Sequence, residues 1–473
     1  MKFIINCLLG VFLALTCPVS AQTAPPEQVF SLEDAKPAVV NIVVRYSKYF
    51  GSGQAGTFSG TGFIVNHEKG LAATNRHVAV EYPAQIQITF WDGTSVLGKV
   101  VYYDPTHDFS IVQYDPGQVK CPVKDLRLGD FFDLKIGDPV VLIGNNEGEE
   151  FSIKKGIVVN LTKNKGDRHS TTFQTSFDRT GGSSGSPVLN AKGEVVGLHF
   201  KGTDTSSFEL AINYLKDKLQ AIEGGIKPVR GEIGVKLDII KLADCQEYFN
   251  LPPEAEKTLR EENSGLESMV IVESLIPGLP AENLLQPGDL VFRIGDRIIG
   301  DNLYLFDKIV DQHQGGEAEV SVFRGGREIK PRIPVVDAEK LKITRFVTFA
   351  GGTFHDLSPA IRYNYDITGP GVYLSQAESG SSADSFGNFK RKNTDQKAVV
   401  IKSINGRKTE NINDLELIAA SVKNGDRATI TYKDYLSGKP SEIQFMFISL
   451  HTSPSMVYSL NQETNDWIGR ELN

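Results

Sequence analysis

The chain has 473 residues, too many for one hydrophobic core and enough for roughly three domains of ordinary size. With 40% hydrophobic and 23% charged residues, 45 glycines and 22 prolines, it has the composition of a globular protein rich in turns and short strands. The net charge of −8, without any Lys/Arg-dense segment, excludes a nucleic-acid backbone as the main partner.

Lys2 precedes an apolar run from Phe3 to Thr16, and Val19-Ser20-Ala21 places small residues at a cleavage position. Residues 1–21 therefore read as a secretory signal peptide, too short in its apolar run to span a bilayer. Cys17 is a poor lipidation site because Ala14-Leu15-Thr16 leads into it. No later stretch reaches the ~18 apolar residues of a membrane helix. Cleavage leaves Cys121 and Cys245, in different predicted domains, which argues against a structural disulfide and against a cysteine nucleophile.

From Ala38 to Phe200 short β-runs alternate with turns: Val39–Val44, Thr61–Val65, Gln85–Phe90, Val140–Ile143 and Gly156–Leu161. Pro187 to Phe200 reads as strand, turn at Lys192-Gly193, strand. Only Asn213 to Glu223 has a helical stripe, from Leu215, Leu219 and Ile222. Strands without intervening helices predict a barrel or sandwich over residues 29–226. Gly224-Gly225-Ile226-Lys227-Pro228 breaks the pattern as a linker. Two further units follow at 229–337 and 340–449, each with strands and a helix, and 450–473 reads as a polar, loosely attached tail.

Three segments carry chemistry. Thr74-Asn75-Arg76-His77-Val78 follows a buried-looking run, His107-Asp108-Phe109 precedes an alternating strand, and Thr180 to Val188 sets Ser184 among glycines. A serine hydroxyl becomes a nucleophile only when an imidazole takes its proton, and the imidazole needs a carboxylate to fix its tautomer and stabilise its cation. A tight glycine loop can aim successive N–H groups at the developing oxyanion, each worth roughly a hundredfold or more in rate. His77, Asp108 and Ser184 are therefore the candidate catalytic set, with the backbone of Gly182, Ser183 and Ser184 as the candidate oxyanion hole. Each residue alone has a duller reading, as a packed histidine, a capping aspartate or a turn serine. Their order within an all-β pattern is what singles them out.

Two other patterns are set aside. Gly51-x-Gly53-x-x-Gly56 matches a dinucleotide fingerprint, but a strand and not a helix follows it. Gly181-x-Ser183-x-Gly185 matches a nucleophile elbow, which needs a helix directly after it and a histidine later in the chain. The eight histidines are dispersed and suggest no metal site.

Thr74-Asn75-Arg76-His77-Val78, Asp108 and Gly182-Ser183-Ser184-Gly185-Ser186-Pro187 resemble the histidine and serine motifs of the HtrA/Deg family. Phe173 to Pro187 aligns with the family's serine segment without a gap. Together with Asp104 to Phe109 it is most similar to the HtrA-like proteases first known from yeast nuclei. The resemblance covers the protease domain and the first following unit well, and the last unit weakly. It implies a mostly β fold: a double β-barrel trypsin-like domain followed by two PDZ-type α+β domains. It implies no cofactor, an ATP-independent endopeptidase acting on unfolded or mislocalised proteins, a homo-oligomer of trimers or their multiples, and a Gram-negative periplasm. The rival is a non-proteolytic PDZ chaperone or adaptor with a latent triad.

Arg230 to Val235 resembles the family's carboxylate-binding loop, so Ile233, Gly234 and Val235 are expected to hold peptide C-termini through backbone N–H groups. Gly278 to Ala281 and Gln286 to Leu290 resemble the later PDZ pattern. Gly351 to Phe354 could play the same part in the last unit. By the alignment, Asp178, Arg179, Leu198, His199 and Phe200 line the specificity pocket, with Asp178 and Arg179 expected either to pair there or to leave Arg179 turned outward.

Overall fold

In the run from Val39 to Tyr46, Val40, Ile42, Val44 and Tyr46 share one face of a strand, because successive side chains point to opposite sides. All four are buried in a common core with Ile64, Ile88 and Val112. In the computed structural model, which describes residues 32–50, 55–146, 149–164, 168–178, 181–203, 206–263, 265–385 and 398–472, this run is the first strand of a closed barrel. The predicted signal peptide lies outside the described residues.

The first barrel comprises β1 (Val39–Tyr46), β2 (Gly56–Asn66), β3 (Leu71–Thr74), β4 (Ala84–Thr89), β5 (Ser95–Tyr103) and β6 (Ser110–Tyr114), in the order β1-β2-β3-β6-β5-β4. The second comprises β7 (Pro139–Asn146), β8 (Glu149–Lys163), β9 (Thr172–Thr175), β10 (Pro187–Leu189), β11 (Val195–Thr203) and β12 (Ser206–Ala211), in the order β10-β11-β12-β9-β8-β7. Closure removes the unpaired edges that open sheets expose. Phe63, Ala73, Phe109 and Ile111 of the first barrel join Leu142, Val188, Leu198 and Leu210 of the second in one core, so the barrels are fused through apolar side chains. This is the double-barrel architecture that the resemblance implies.

The helix Asn213–Glu223 forms where its stripe predicts, with Leu215 and Leu219 buried. Beyond it, an antiparallel sheet built on Val235–Lys241, Ser268–Leu275, Leu290–Ile294 and Glu317–Arg324 packs against the helix Leu303–Gln312, which Asn302 caps. The next sheet runs through Arg345–Phe349, Gly352–Asp356, Val372–Ala377, Val399–Ile404, Arg427–Asp434 and Glu442–Phe447, over the helix Ile412–Ser421. These are the two α+β units.

The loosely attached tail is corrected. Met456–Asn461 and Asp466–Glu471 form a hairpin that adds to the last sheet beside Arg345–Phe349. Its apolar residues find partners: Val457 is buried, and Trp467 packs on Phe346 and on Phe50 of the first barrel. Trp467 also donates to the Glu81 carbonyl, and Asn465 to that of Val100, so the hairpin straps the last unit to the protease. A count of polar residues missed these few anchors.

Candidate active site

β3 ends at Thr74, and the next three residues grip the loop that carries Asp108. Asn75 Nδ2 donates to the Asp108 carbonyl at 2.8 Å, and Arg76 Nη1 to the carbonyls of Asp104 (3.1 Å) and Pro105 (2.8 Å). His77 then meets Asp108 twice: its backbone N–H reaches Oδ1 at 2.9 Å and its ring Nδ1 lies 2.6 Å from Oδ2. Burial alone would push the Asp108 carboxyl up. The facing His77, these two hydrogen bonds and Arg76 outweigh it and hold the carboxyl below its ordinary value. The His77 side chain is 44% exposed against 13% for Asp108, so the imidazole stands open to a substrate while its partner is covered.

Ser184 lies in the turn before β10, half-buried, and the turn is sewn to the first barrel. Thr61 on β2 donates its N–H to the Ser184 carbonyl (2.8 Å) and its hydroxyl to the Gly182 carbonyl (3.0 Å). Thr74 Oγ1, three residues before His77, donates to the Thr61 carbonyl at 2.7 Å. Thr61 thus ties the serine loop to the histidine strand, a role that its sequence context did not reveal. Gly185 must be glycine: its φ is +88°, and a Cβ there would stand 2.0 Å from the Thr61 carbonyl oxygen. Among the described residues the N–H groups of Gly182 and Ser184 have no hydrogen-bond acceptor, whereas Gly185 and Ser186 donate to His199 and Ser183 carbonyls. A cavity of about 190 Å³ opens beside His77, walled by Phe50 and Tyr82 of the first barrel and by Leu341, Pro359 and Ile361 of the last unit.

A second histidine–serine contact, His107 Nδ1 to Ser170 Oγ at 2.8 Å, is of a different kind. Both side chains are buried, and Ser170 Oγ also lies 2.7 Å from the His169 carbonyl, which its hydroxyl proton satisfies. No substrate can reach that pair without opening the domain.

The expected specificity residues are dispersed. Arg179 lies outside the described residues. Asp178 is 71% exposed and pairs with Lys154 Nζ at 2.7 Å. Leu198 sits in the inter-barrel core, Phe200 packs half-buried against it, and His199 is buried with Nδ1 2.9 Å from Oε2 of fully buried Glu209. Thr175 caps the other Glu209 oxygen at 2.7 Å. Glu209 was not legible as His199's partner because the register of β11 on β12, which sets them opposite, is unknown until the strands pair.

In the first PDZ-type unit, Gly234 has φ +91° and no room for a Cβ, which would lie 2.3 Å from Leu279 Cβ. Ile233 and Val235 beside it are buried. The Gly234 N–H expected to meet a peptide carboxylate instead donates to Glu232 Oε1 at 2.6 Å. Glu232 is clamped by the two terminal guanidinium nitrogens, Nη1 and Nη2, of Arg168 from the protease domain, and Nη2 also reaches the Val235 carbonyl at 2.9 Å. Burial would raise the Glu232 carboxyl, but Arg168 and the Gly234 N–H hold it below its usual range. The chain's own carboxylate therefore takes up the Gly234 N–H of the expected cradle.

Among the described residues no cluster of side chains suits a metal ion, and no helix is long and apolar enough to cross a membrane.

Two fused antiparallel barrels, an open histidine–carboxylate pair and a serine turn built on a left-handed glycine make up the architecture of a trypsin-like peptidase domain. A family model described as a trypsin-like peptidase domain matches residues 60–198, and one described as a PDZ-like domain matches 340–425, the unit with the weaker sequence resemblance. The chain thus carries a trypsin-like peptidase domain followed by a PDZ-like domain. It is 28% identical over 471 residues to the pro-apoptotic serine protease NMA111 of Ajellomyces capsulatus, covering 97% of this chain and 45% of the relative. It is 29% identical over 459 residues to nma111 of Aspergillus oryzae, covering 94% and 44%. The chain thus spans somewhat under half the length of these relatives. The solved structure of the HtrA-type protease AlgW with tripeptide matches 65% of this chain at 22% identity and a TM-score of 0.47.

The expected Gram-negative periplasmic location is overturned: the matched relatives are fungal proteins. An apolar N-terminal run carries no information about the kind of cell, so that inference had no physical support beyond resemblance.

Proposed function

We propose that the chain is an ATP-independent serine endopeptidase for unfolded proteins, with Ser184 as nucleophile, His77 as general base and Asp108 as the group that orients it. The observation that carries this is the doubly bonded His77–Asp108 pair, held at 2.6 and 2.9 Å with the carboxylate kept ionised. Asp108 keeps the proton on Nδ1, so Nε2 is the unprotonated nitrogen that takes the Ser184 proton and returns it to the leaving amine. The developing oxyanion is met by the N–H groups of Gly182 and Ser184, with Ser183 between them. An extended substrate is implied because a cleft between two barrels admits a strand and not a folded domain. Peptide C-termini dock at Ile233-Gly234-Val235 in this reading only after Glu232 leaves the Gly234 N–H.

The test is turnover of unfolded casein alongside labelling by a fluorophosphonate, with particle mass measured in parallel to check for trimers. Labelling at Ser184 with casein degradation supports the reading. Labelling without degradation points to a chaperone or adaptor, and no labelling at Ser184 contradicts it.

A further inference from the structure

The loop Asp104–Phe109 that presents Asp108 is folded on itself: Asp104 Oδ1 accepts the N–H groups of Thr106 (2.9 Å) and His107 (2.8 Å), and Asp104 N–H donates to the Phe109 carbonyl at 3.0 Å. Asp104 and His107, both fully buried, meet the first PDZ-type unit. Arg230 grips Asp104 Oδ2 through Nη2 (2.7 Å) and Nε (3.1 Å). Asp307 Oδ2, on the helix Leu303–Gln312, lies 3.3 Å from His107 Nε2, a charge contact without hydrogen-bond geometry. Its other oxygen is 3.1 Å from His169 Nε2, and the Tyr214 hydroxyl donates to Oδ2 at 3.1 Å beneath the His107 ring. One turn further along the same face, Asp311 takes Arg230 Nη1 (3.4 Å), the Gly231 N–H (2.8 Å) and Lys218.

Ion pairs buried at a domain boundary are weak evidence for stability, since apolar side chains of the same volume would do as well or better. What such pairs impose is register: each carboxylate has one place where its donors converge. Here that register reaches the triad, because His107 is the residue before Asp108. Burial alone would push the Asp307 and Asp104 carboxyls up, yet His169 and His107 around the first, and Arg230 on the second, hold both low.

We propose that Asp307 of the first PDZ-type unit is a positioning residue for the catalytic carboxylate, acting through His107, with Arg230 pinning the other end of the same loop through Asp104. The PDZ-type unit is then a structural part of the catalytic centre. This rests on the assignment of His77, Asp108 and Ser184 above.

The test uses the full chain with Asp307→Asn, His107→Gln and the double variant, with turnover counted per fluorophosphonate-titrated site. A misplacement near 1 Å costs roughly ten- to a hundredfold, so each single variant should lose that much kcat with KM little changed. The double variant should lose no more than either single, because both act through one path. Losses that multiply, or an unchanged per-site kcat with fewer titratable sites, overturn the proposal. Asp307→Glu keeps the charge if Asp307→Asn fails to fold, and should show an intermediate loss of kcat. A readout independent of turnover is the downfield proton resonance of the His77 Nδ1–H, assigned by its loss in His77→Ala. It should shift or broaden in Asp307→Asn, and an unmoved signal refutes the proposal even if the wild-type chain cleaves nothing. Absence of Ser184-dependent turnover in the wild type, by contrast, refutes the protease assignment.

Discussion

Asp108→Asn isolates the tautomer argument from the rest of the site. The loop should stay in place, because Asn75 and Arg76 hold its backbone and Asp104 closes it from within. What changes is the atom facing His77. An amide nitrogen within 2.6 Å of Nδ1 is a donor where an acceptor stood, so the ring flips its proton to Nε2 and can no longer accept one from Ser184. Loss of that single preference costs about 10⁴ in kcat, about 5.5 kcal/mol of transition-state stabilisation. The backbone bond from His77 N–H to Oδ1 survives in the amide, which argues for an intact fold. The assay is initial-rate cleavage of fluorescently labelled unfolded casein, with circular dichroism and thermal melting to check folding. A loss below ~10-fold in a folded variant would mean that Asp108 does not set the tautomer, and that His77 is oriented by something else.

Gly185→Ala should abolish turnover, since the new Cβ meets the Thr61 carbonyl at 2.0 Å and the backbone is left-handed; Gly181→Ala, whose Cβ meets nothing within 4 Å, is the control in the same casein assay. Glu232→Gln should raise the affinity of the chain for peptides with a free C-terminal carboxylate, measured by fluorescence anisotropy against the amidated peptide. Equal affinity before and after would show that Glu232 does not guard the Gly234 N–H. Among the described residues His355 Nε2 has no hydrogen-bond partner, and burial pushes the His355 pKa down to about 4. The unfolded chain binds that proton below about 6.5, so stability should fall as pH drops from there toward 4, by a few kcal/mol at most. Melting at pH 7 and pH 5 should show a drop that His355→Phe reduces; an equal drop in both proteins contradicts this.

The barrels were legible because closed antiparallel sheets leave a period-two trace, as from Val40 to Tyr46, and because glycines such as Gly185 mark turns that no other residue fits. The candidate catalytic set came from residue types that acyl transfer demands, and two of its members, His77 and Asp108, meet in the structure. What stayed hidden is long-range. Thr61 lies 123 positions before Ser184, and its two bonds to the serine loop depend on how one barrel meets the other. Arg230 was read only as part of the carboxylate-binding loop and Asp307 was not singled out, yet both converge on the Asp108 loop. Gly234 was singled out for its N–H, but the partner of that group, Glu232, was passed over two residues away because Arg168 is needed to hold it there. The expected pairing of Asp178 could not be weighed against Lys154 until β8 was placed beside it.

The central claim, that Ser184 is activated by His77, is tested most directly by mass spectrometry of the intact chain after fluorophosphonate treatment, followed by peptide mapping. A single adduct on Ser184, lost in both Ser184→Ala and His77→Ala but retained in Ser183→Ala and Ser170→Ala, is the predicted result. An adduct on Ser183 or Ser170, or labelling of Ser184 that persists without His77, would contradict it.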